Sequence, residues 1–368
     1  MAFDHIERRL ARLRARMADE GVDVMVVLSS ENYNGESLTY ISGFRGSSGA
    51  AVISAEEAFL VTDGRYALQA REQSPFEVTP QGQKMLHEKT AEFLRGRGWS
   101  VGGYEGERLT VSVYRSMEGA LARWRDCSSL LPELRRRKDD AEVTAIAKAA
   151  EIAHSAYEEA LSEVHEGMAE TEFNAIMEYL IRKGGAESGW KGGKFIVASG
   201  ERGALPHGRA SDRLFRIGDI VTVDFGATVD GYMSDITRNF SLGPLSKRGQ
   251  EIESALLEAA DAAVAAICPG AEGRYVDSVA RDILIEKGWG KYFNHSLGHG
   301  LGLEVHETPR VSPTSKDMLQ EGDVITIEPG VYIEGWGGMR IEDDYLVTAS
   351  GAVCISGGKG RRTAVVPL

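Results

Sequence analysis

The sequence predicts two domains: an α/β domain over residues 1–132 and an α+β domain over residues 133–368. Three observations carry this expectation. At 368 residues the chain is long enough to bury two cores. In its first third, apolar runs of strand length alternate with helical segments. Beyond Pro132 the pattern changes to long helical stretches that alternate with turn-punctuated strand pairs.

The elements follow in order. Ile6, Leu10, Leu13 and Met17 fall on one helical face, so the chain opens on an amphipathic helix that Gly21 ends. Val22–Leu28, Ala50–Ser54 and Ala58–Thr62 read as strands, and Thr90–Arg97 and Val111–Arg123 as helices. The run Leu134-Arg135-Arg136-Arg137-Lys138-Asp139-Asp140 reads as a solvated linker entering a long helix, Ala141–Leu161. Its arginines stand beside acids, which speaks against a nucleic-acid patch. Helix-rich stretches at 141–184, 247–266 and 274–287 then alternate with hairpins. Each half of this region supplies helices and then an acid-bearing hairpin, a weak internal duplication.

Those hairpins carry the chemistry. Asp224 ends the apolar run Ile220-Val221-Thr222-Val223, and Asp235 opens Asp235-Ile236-Thr237-Arg238. A turn centred on Val229 and Asp230 sets the two acids opposite each other, with Cβ atoms about 5 Å apart. Glu328 ends Val324-Ile325-Thr326-Ile327, and Glu342 lies beyond the loop Glu334-Gly335-Trp336-Gly337-Gly338, so the second pair repeats the first. Three of the chain's eight histidines, His295, His299 and His306, fall within one short segment. Gly298, Gly300 and Gly302 alternate there, which allows backbone to approach a ligand closely. Ordinary hairpins with acids at their strand edges would account for either pair alone, but poorly for both pairs beside this histidine cluster. Asp224, Asp235, His299, Glu328 and Glu342 thus form a hard, oxygen-rich set for two divalent ions, manganese first, with cobalt or zinc as alternatives. Two cations also offset four carboxylates that would otherwise repel one another.

This set, with Gly298-His299-Gly300 ahead of Val305-His306-Glu307, resembles the metallopeptidases of the pita-bread fold, whose members include methionine aminopeptidases, aminopeptidase P, prolidase and creatinase. Val223-Asp224-Phe225-Gly226, Ser234-Asp235-Ile236-Thr237-Arg238, Ile327-Glu328-Pro329-Gly330 and Met339-Arg340-Ile341-Glu342-Asp343 are similar to the Xaa-Pro branch. Ile41–Gly49 and Thr62-Asp63-Gly64-Arg65-Tyr66 resemble the creatinase-like N-terminal domain of that branch, which methionine aminopeptidases lack. The resemblance implies a pita-bread catalytic domain and hydrolysis of the bond before proline, in a small peptide with proline at its second position. It also implies a homodimer.

The same resemblance implies roles. Glu328 both ligates metal and serves as general base toward a water activated between two ions. His207 and His306 contact the substrate carbonyl or the leaving group, and His295 shapes the proline pocket. Arg340 organises the site beside the last metal ligand; a plain salt bridge to an acid such as Asp343 is the alternative, and the two roles can coexist. Tyr232 is a candidate support for substrate. Asp63, Arg65 and the Gly46–Gly49 loop are candidates for blocking longer N-terminal extensions. Two alternatives belong to other classes: a metal-dependent lyase on the same fold, and a non-catalytic binding module that has lost its ligands.

Composition fits a soluble enzyme. The 42 basic and 55 acidic residues give a net charge of −13, which disfavours nucleic acid and anionic membrane as partners. Cys127, Cys268 and Cys354 are scattered, as expected in a reducing cytoplasm. Neither a signal-peptide pattern nor an apolar run of membrane-spanning length is present.

Overall fold

The computed structural model describes residues 3–31 and 33–367. The chain divides into two compact units, Met1–Arg135 and Arg136–Leu368.

The first unit runs α1 (Asp4–Asp19), β1 (Val24–Ser30), α2 (Gly35–Ser42), β2 (Ser48–Ser54), β3 (Ala58–Thr62), α3 (Ala67–Gln73), β4 (Glu77–Pro80), α4 (Leu86–Leu94), β5 (Val101–Tyr104), α5 (Val111–Met117), β6 (Arg123–Asp126) and α6 (Leu130–Arg136). Its six strands form one mixed sheet in the order β4-β3-β2-β1-β5-β6. β1 is apolar on both faces because both are covered. Val24, Val26 and Leu28 pack with Leu86, Ala91, Leu94 and Met117 from the helices. α1 buries Ile6, Leu10, Leu13 and Met17, as its periodicity requires. Each such side chain contributes about 1.5–3 kcal/mol when fully buried.

Two helices here differ from expectation. The one expected at 90–97 starts four residues earlier, because the Glu88 carboxylate accepts the Met85 N–H at 3.1 Å and fixes the first turn. The one expected to reach Arg123 stops at Met117. Arg123 instead pairs with Val101 as β6 joins the sheet edge.

The cationic linker also differs. Residues up to Arg136 are helical, and Arg135, Arg136 and Lys138 are buried. The Arg136 guanidinium grips Asp323 at 2.7 Å. Acidic partners distant in sequence take these cations out of water, which no local pattern announces. Asp139 accepts the Ala141 and Glu142 N–H groups and so starts α7 (Asp140–Leu161).

The second unit continues with α8 (Glu170–Lys183), β7 (Ser188–Gly189), β8 (Ile196–Ser199), β9 (Ile220–Phe225), β10 (Ala227–Val229), β11 (Tyr232–Met233), β12 (Ile236–Leu242), α9 (Lys247–Ala265), α10 (Gly273–Glu286), β13 (Gly298–Gly300), β14 (Glu307–Val311), β15 (Val324–Ile327), β16 (Gly330–Ile333), β17 (Gly337–Arg340), β18 (Asp343–Thr348), β19 (Gly351–Cys354) and β20 (Ala364–Val366). α7 and α8 share a core with β8, β9 and β12, and α9 and α10 share one with β15, β17 and β18. A helix pair covering a sheet therefore occurs twice. Among the described residues no helix is long and apolar enough to cross a membrane.

Candidate metal centre

The first acid pair is set by a tight hairpin. Asp230 and Gly231 form its turn with φ of 51° and 82°, the left-handed values that a two-residue connection between twisted strands demands. Val229 pairs with Tyr232 across it. This turn lies one residue later than the sequence-based placement, and the register shifts with it. Asp224 faces Thr237, not Asp235. Asp235 lies two residues before Thr237, so the two acids share a face as diagonal neighbours.

The second pair meets as the spacing implies. β15 pairs Ile327 with Asp343, and β16 pairs Gly330 with Arg340. Both ladders share one register, and Glu328 and Glu342 are matching positions in the gap between them. Glu342 also joins the first hairpin: its N–H donates to the Thr237 carbonyl at 3.2 Å, and its carboxylate accepts the Thr237 hydroxyl at 2.6 Å.

His299 enters from β13, the strand between β14 and β15. Its glycine neighbours let backbone pack directly against backbone. A Cβ on Gly298 would stand 1.9 Å from the Thr326 carbonyl oxygen, and one on Gly300 2.4 Å from that of Thr308. The imidazole Nε2 lies 3.3 Å from Glu328 Oε1 and 3.7 Å from Asp235 Oδ2. Asp235, His299 and Glu342 offer ligating atoms all within 4.8 Å of one another.

Asp224 and Glu328 are tied to the same place. Arg340, 3% exposed, donates to Asp224 Oδ2 at 2.7 Å. The acid that Arg340 bridges is thus Asp224; the Asp343 carboxylate is taken by Arg238 at 2.6 Å. Arg340 also donates to the Thr237 hydroxyl at 2.9 Å, the Tyr332 hydroxyl at 2.6 Å and the Pro206 carbonyl at 3.3 Å. Tyr332 in turn meets His295 Nε2 at 3.0 Å, and His295 Nδ1 lies 3.9 Å from Glu328 Oε2.

The remaining candidates sit as follows. The His306 ring packs edge-on against His299, with centroids 4.4 Å apart. The His207 ring is exposed, and its loop reaches the cluster through the backbone at Pro206. Tyr232 is buried and donates to Glu142 at 3.0 Å, tying the first hairpin to α7. In the first unit, Asp63 and Arg65 form a local ion pair at 2.8 Å beyond β3.

Sequence reasoning missed Thr237, Tyr332 and Asp344. Asp344 is fully buried, and its carboxylate accepts the Asp235 N–H at 3.2 Å. A signal for Tyr332 existed. It lies two residues along β16 from Gly330, the partner of Arg340, and so shares the Arg340 face diagonally.

Crowded carboxylates in a dry site resist ionisation. Burial, with Glu342, Asp224 and Asp344 nearby, pushes Asp235 well above the usual carboxylate range. Burial, with Glu328 and Asp224 nearby, does the same to Glu342. Burial opposes the charge of Glu328 too, but the hydrogen bond and charge of His299, helped by His295 and Arg340, hold its carboxyl at about 2. Asp224 Oδ1 and Asp235 Oδ1 are buried without a hydrogen-bond partner. Clustered hard oxygens with unsatisfied lone pairs beside one imidazole fit a divalent cation.

In the metal-free chain, Asp235 and Glu342 hold protons in the folded state that the unfolded chain has released, so their contribution to stability is present at low pH and lost as pH rises through their folded-state values. The raised His299 has the same sign. Glu328 has the opposite sign, but its contribution builds from about 2 up to its ordinary value of 4.5 and is complete below the working window. The melting temperature of chelated protein should therefore fall between about pH 5 and about pH 8, and divalent metal should reverse the trend by stabilising the ionised carboxylates. A chelated protein that gains stability over that window would contradict these directions.

Comparison with known proteins decides the family. The model of metallopeptidase family M24 matches residues 144–349, more than half of the chain. The chain belongs to this family. The creatinase/prolidase N-terminal domain matches residues 9–137. The Bacillus subtilis uncharacterized peptidase YqhT is 39% identical over 346 residues, which is 93% of this chain and 96% of that protein. The structure of the Xaa-Pro dipeptidase from Bacillus anthracis superposes with a TM-score of 0.91 at 38% identity, covering 99% of this chain and all of that one. The X-Pro aminopeptidase from Thermotoga maritima does so with a TM-score of 0.90 at 38% identity, covering 95% and 100%. The five acid and histidine positions all lie within the stretch matched to family M24, which uses divalent metal.

Proposed function

We propose that this M24 chain hydrolyses the peptide bond preceding proline, with dipeptides as its preferred substrates. Two divalent ions, manganese foremost, would be held by Asp224, Asp235, His299, Glu328 and Glu342. The observation that carries this reading is the meeting of both hairpins and His299 at one buried point, with Asp235, His299 and Glu342 close enough to share an ion. The names of the dipeptidase and aminopeptidase neighbours support the choice of bond.

Bound ions supply Lewis acidity, which lowers the pKa of water and polarises the scissile carbonyl. The chain's own groups do the rest. The Glu328 carboxylate takes the proton of the attacking water. His306, packed edge-on against His299, contacts the substrate carbonyl, and His207 the leaving nitrogen. His295, held through Nε2 by the Tyr332 hydroxyl, forms one wall of the proline slot. Arg340 orients Asp224 and favours its charge against the burial that opposes it. An Xaa-Pro bond carries no N–H, so a site that gripped substrate as a β-strand would lose a hydrogen bond there. We also propose a homodimer in a reducing cytoplasm, in keeping with three unpaired cysteines.

The test compares Ala-Pro, Ala-Pro-Ala and Ala-Ala with the manganese-loaded protein. Cleavage of Ala-Pro well ahead of the other two is expected. Equal or faster cleavage of Ala-Pro-Ala would replace the dipeptidase reading with an aminopeptidase. Cleavage of neither proline peptide would overturn the proposal.

A further inference from the structure

Lys138 and Glu307 form an ion pair at 3.0 Å with side chains only 1% and 6% exposed. Taking two charges out of water costs several kcal/mol per ion, and an apolar pair of similar volume often serves stability as well. Stability is thus a weak reason for this pair. Its surroundings supply a better one.

Glu307 follows His306 directly and begins β14. One carboxylate oxygen receives Lys138, and the other accepts the Glu304 N–H at 3.1 Å. A Cβ on Gly302 would stand 2.8 Å from both oxygens, so the backbone here lies against the carboxylate itself. The Gly302 N–H donates to the Glu304 carbonyl at 3.1 Å, and the Gly302 carbonyl accepts the Met233 N–H at 2.8 Å. The loop that carries His306 is therefore wound around one charged group.

The other end of the pair is anchored. The Lys138 N–H donates to the Gly322 carbonyl at 2.9 Å, and Asp139 caps α7 immediately after. Glu142, in the first turn of α7, receives the Tyr232 hydroxyl from the first hairpin. One short stretch, residues 138–142, thus grips both the His306 loop and the hairpin that carries Asp235.

We propose that Lys138 is a positioning residue: through Glu307 it holds the 302–307 loop so that His306 stands against His299. The inference deepens the reading above and rests on the role assigned there to His306. A misplacement of about 1 Å can cost up to 100-fold in rate, so a loosened loop should be visible in turnover.

In Lys138→Met we expect kcat for Ala-Pro to fall about tenfold. KM and metal per chain should stay near wild type, and amide exchange over residues 302–306 should quicken. In a His306→Ala background the same substitution should cost nothing further. An equal loss in both backgrounds would overturn the proposal, as would loss of metal or unchanged exchange in the loop. If His306→Ala alone keeps full activity, the role of His306 fails, and loop exchange still decides whether Lys138 holds the loop. Should Lys138→Met alone prevent folding, Lys138→Met with Glu307→Leu supplies an apolar pair that removes the buried charge. The same fall in kcat is expected there, and full activity would overturn the proposal.

Discussion

Glu328→Gln is expected to lower kcat for Ala-Pro by about a thousandfold or more while leaving the fold intact. General-base groups contribute about 10²–10⁴-fold, and this one would also ligate metal. The amide is close to isosteric with the carboxylate, so the position between the Ile327–Asp343 and Gly330–Arg340 pairs stays filled. What it loses is the ability to take a proton. Glu328 is the acid of the cluster whose charge is best supported, by His299 at 3.3 Å and His295 at 3.9 Å. Asp235 and Glu342 are pushed the other way by burial and by each other's neighbours. Ionised and reachable, Glu328 is the natural proton acceptor. The measurement is steady-state turnover beside metal per chain. Normal turnover would remove Glu328 as the base, and complete loss of metal would recast it as a ligand alone.

Arg340→Met should be the most damaging single change to the folded site. The guanidinium is buried and engages Asp224, Thr237 and Tyr332 at once. Removing one partner of a buried ion pair costs about 3–5 kcal/mol, because the other charge is left unpaired. In chelated protein this should lower the melting temperature by about 10 °C. Added metal should recover part of the loss by neutralising Asp224. Turnover should fall about 100-fold, since Tyr332 and, through it, His295 lose their support. Arg340→Lys should not rescue it, because a single ammonium cannot serve the three positions that a fork reaches. A variant that melts and turns over like wild type would contradict the role given to Arg340.

Much of this site was legible because its information is local. An apolar run ending in an acid, a turn and a second acid mark a hairpin whatever surrounds it. The second hairpin was placed to the residue, since Glu328 and Glu342 flank a loop with a clear centre. The first slipped by one residue. Asp230 accepts a left-handed φ, and the Asp-Gly pair fixes the turn more strongly than symmetry between Asp224 and Asp235 does. Asp139 was legible as an entry to α7, but the burial of Arg136 and Lys138 was not. Their partners, Asp323 and Glu307, lie far along the chain. Gly298 and Gly300 announced a close approach to a ligand, and both also stand directly against neighbouring backbone. Thr237 and Tyr332 went unremarked because a lone threonine or tyrosine in a strand has many ordinary explanations. Only the register brings them to Arg340.

Peptide hydrolysis carried by two ions at these five side chains is the central claim. The direct measurement is to strip the protein with chelator and titrate manganese back while following Ala-Pro hydrolysis and bound metal. We expect no hydrolysis without metal, and activity that saturates as a second ion per chain is bound. Hydrolysis that survives chelation, or bound ions that restore none of it, would contradict the central claim.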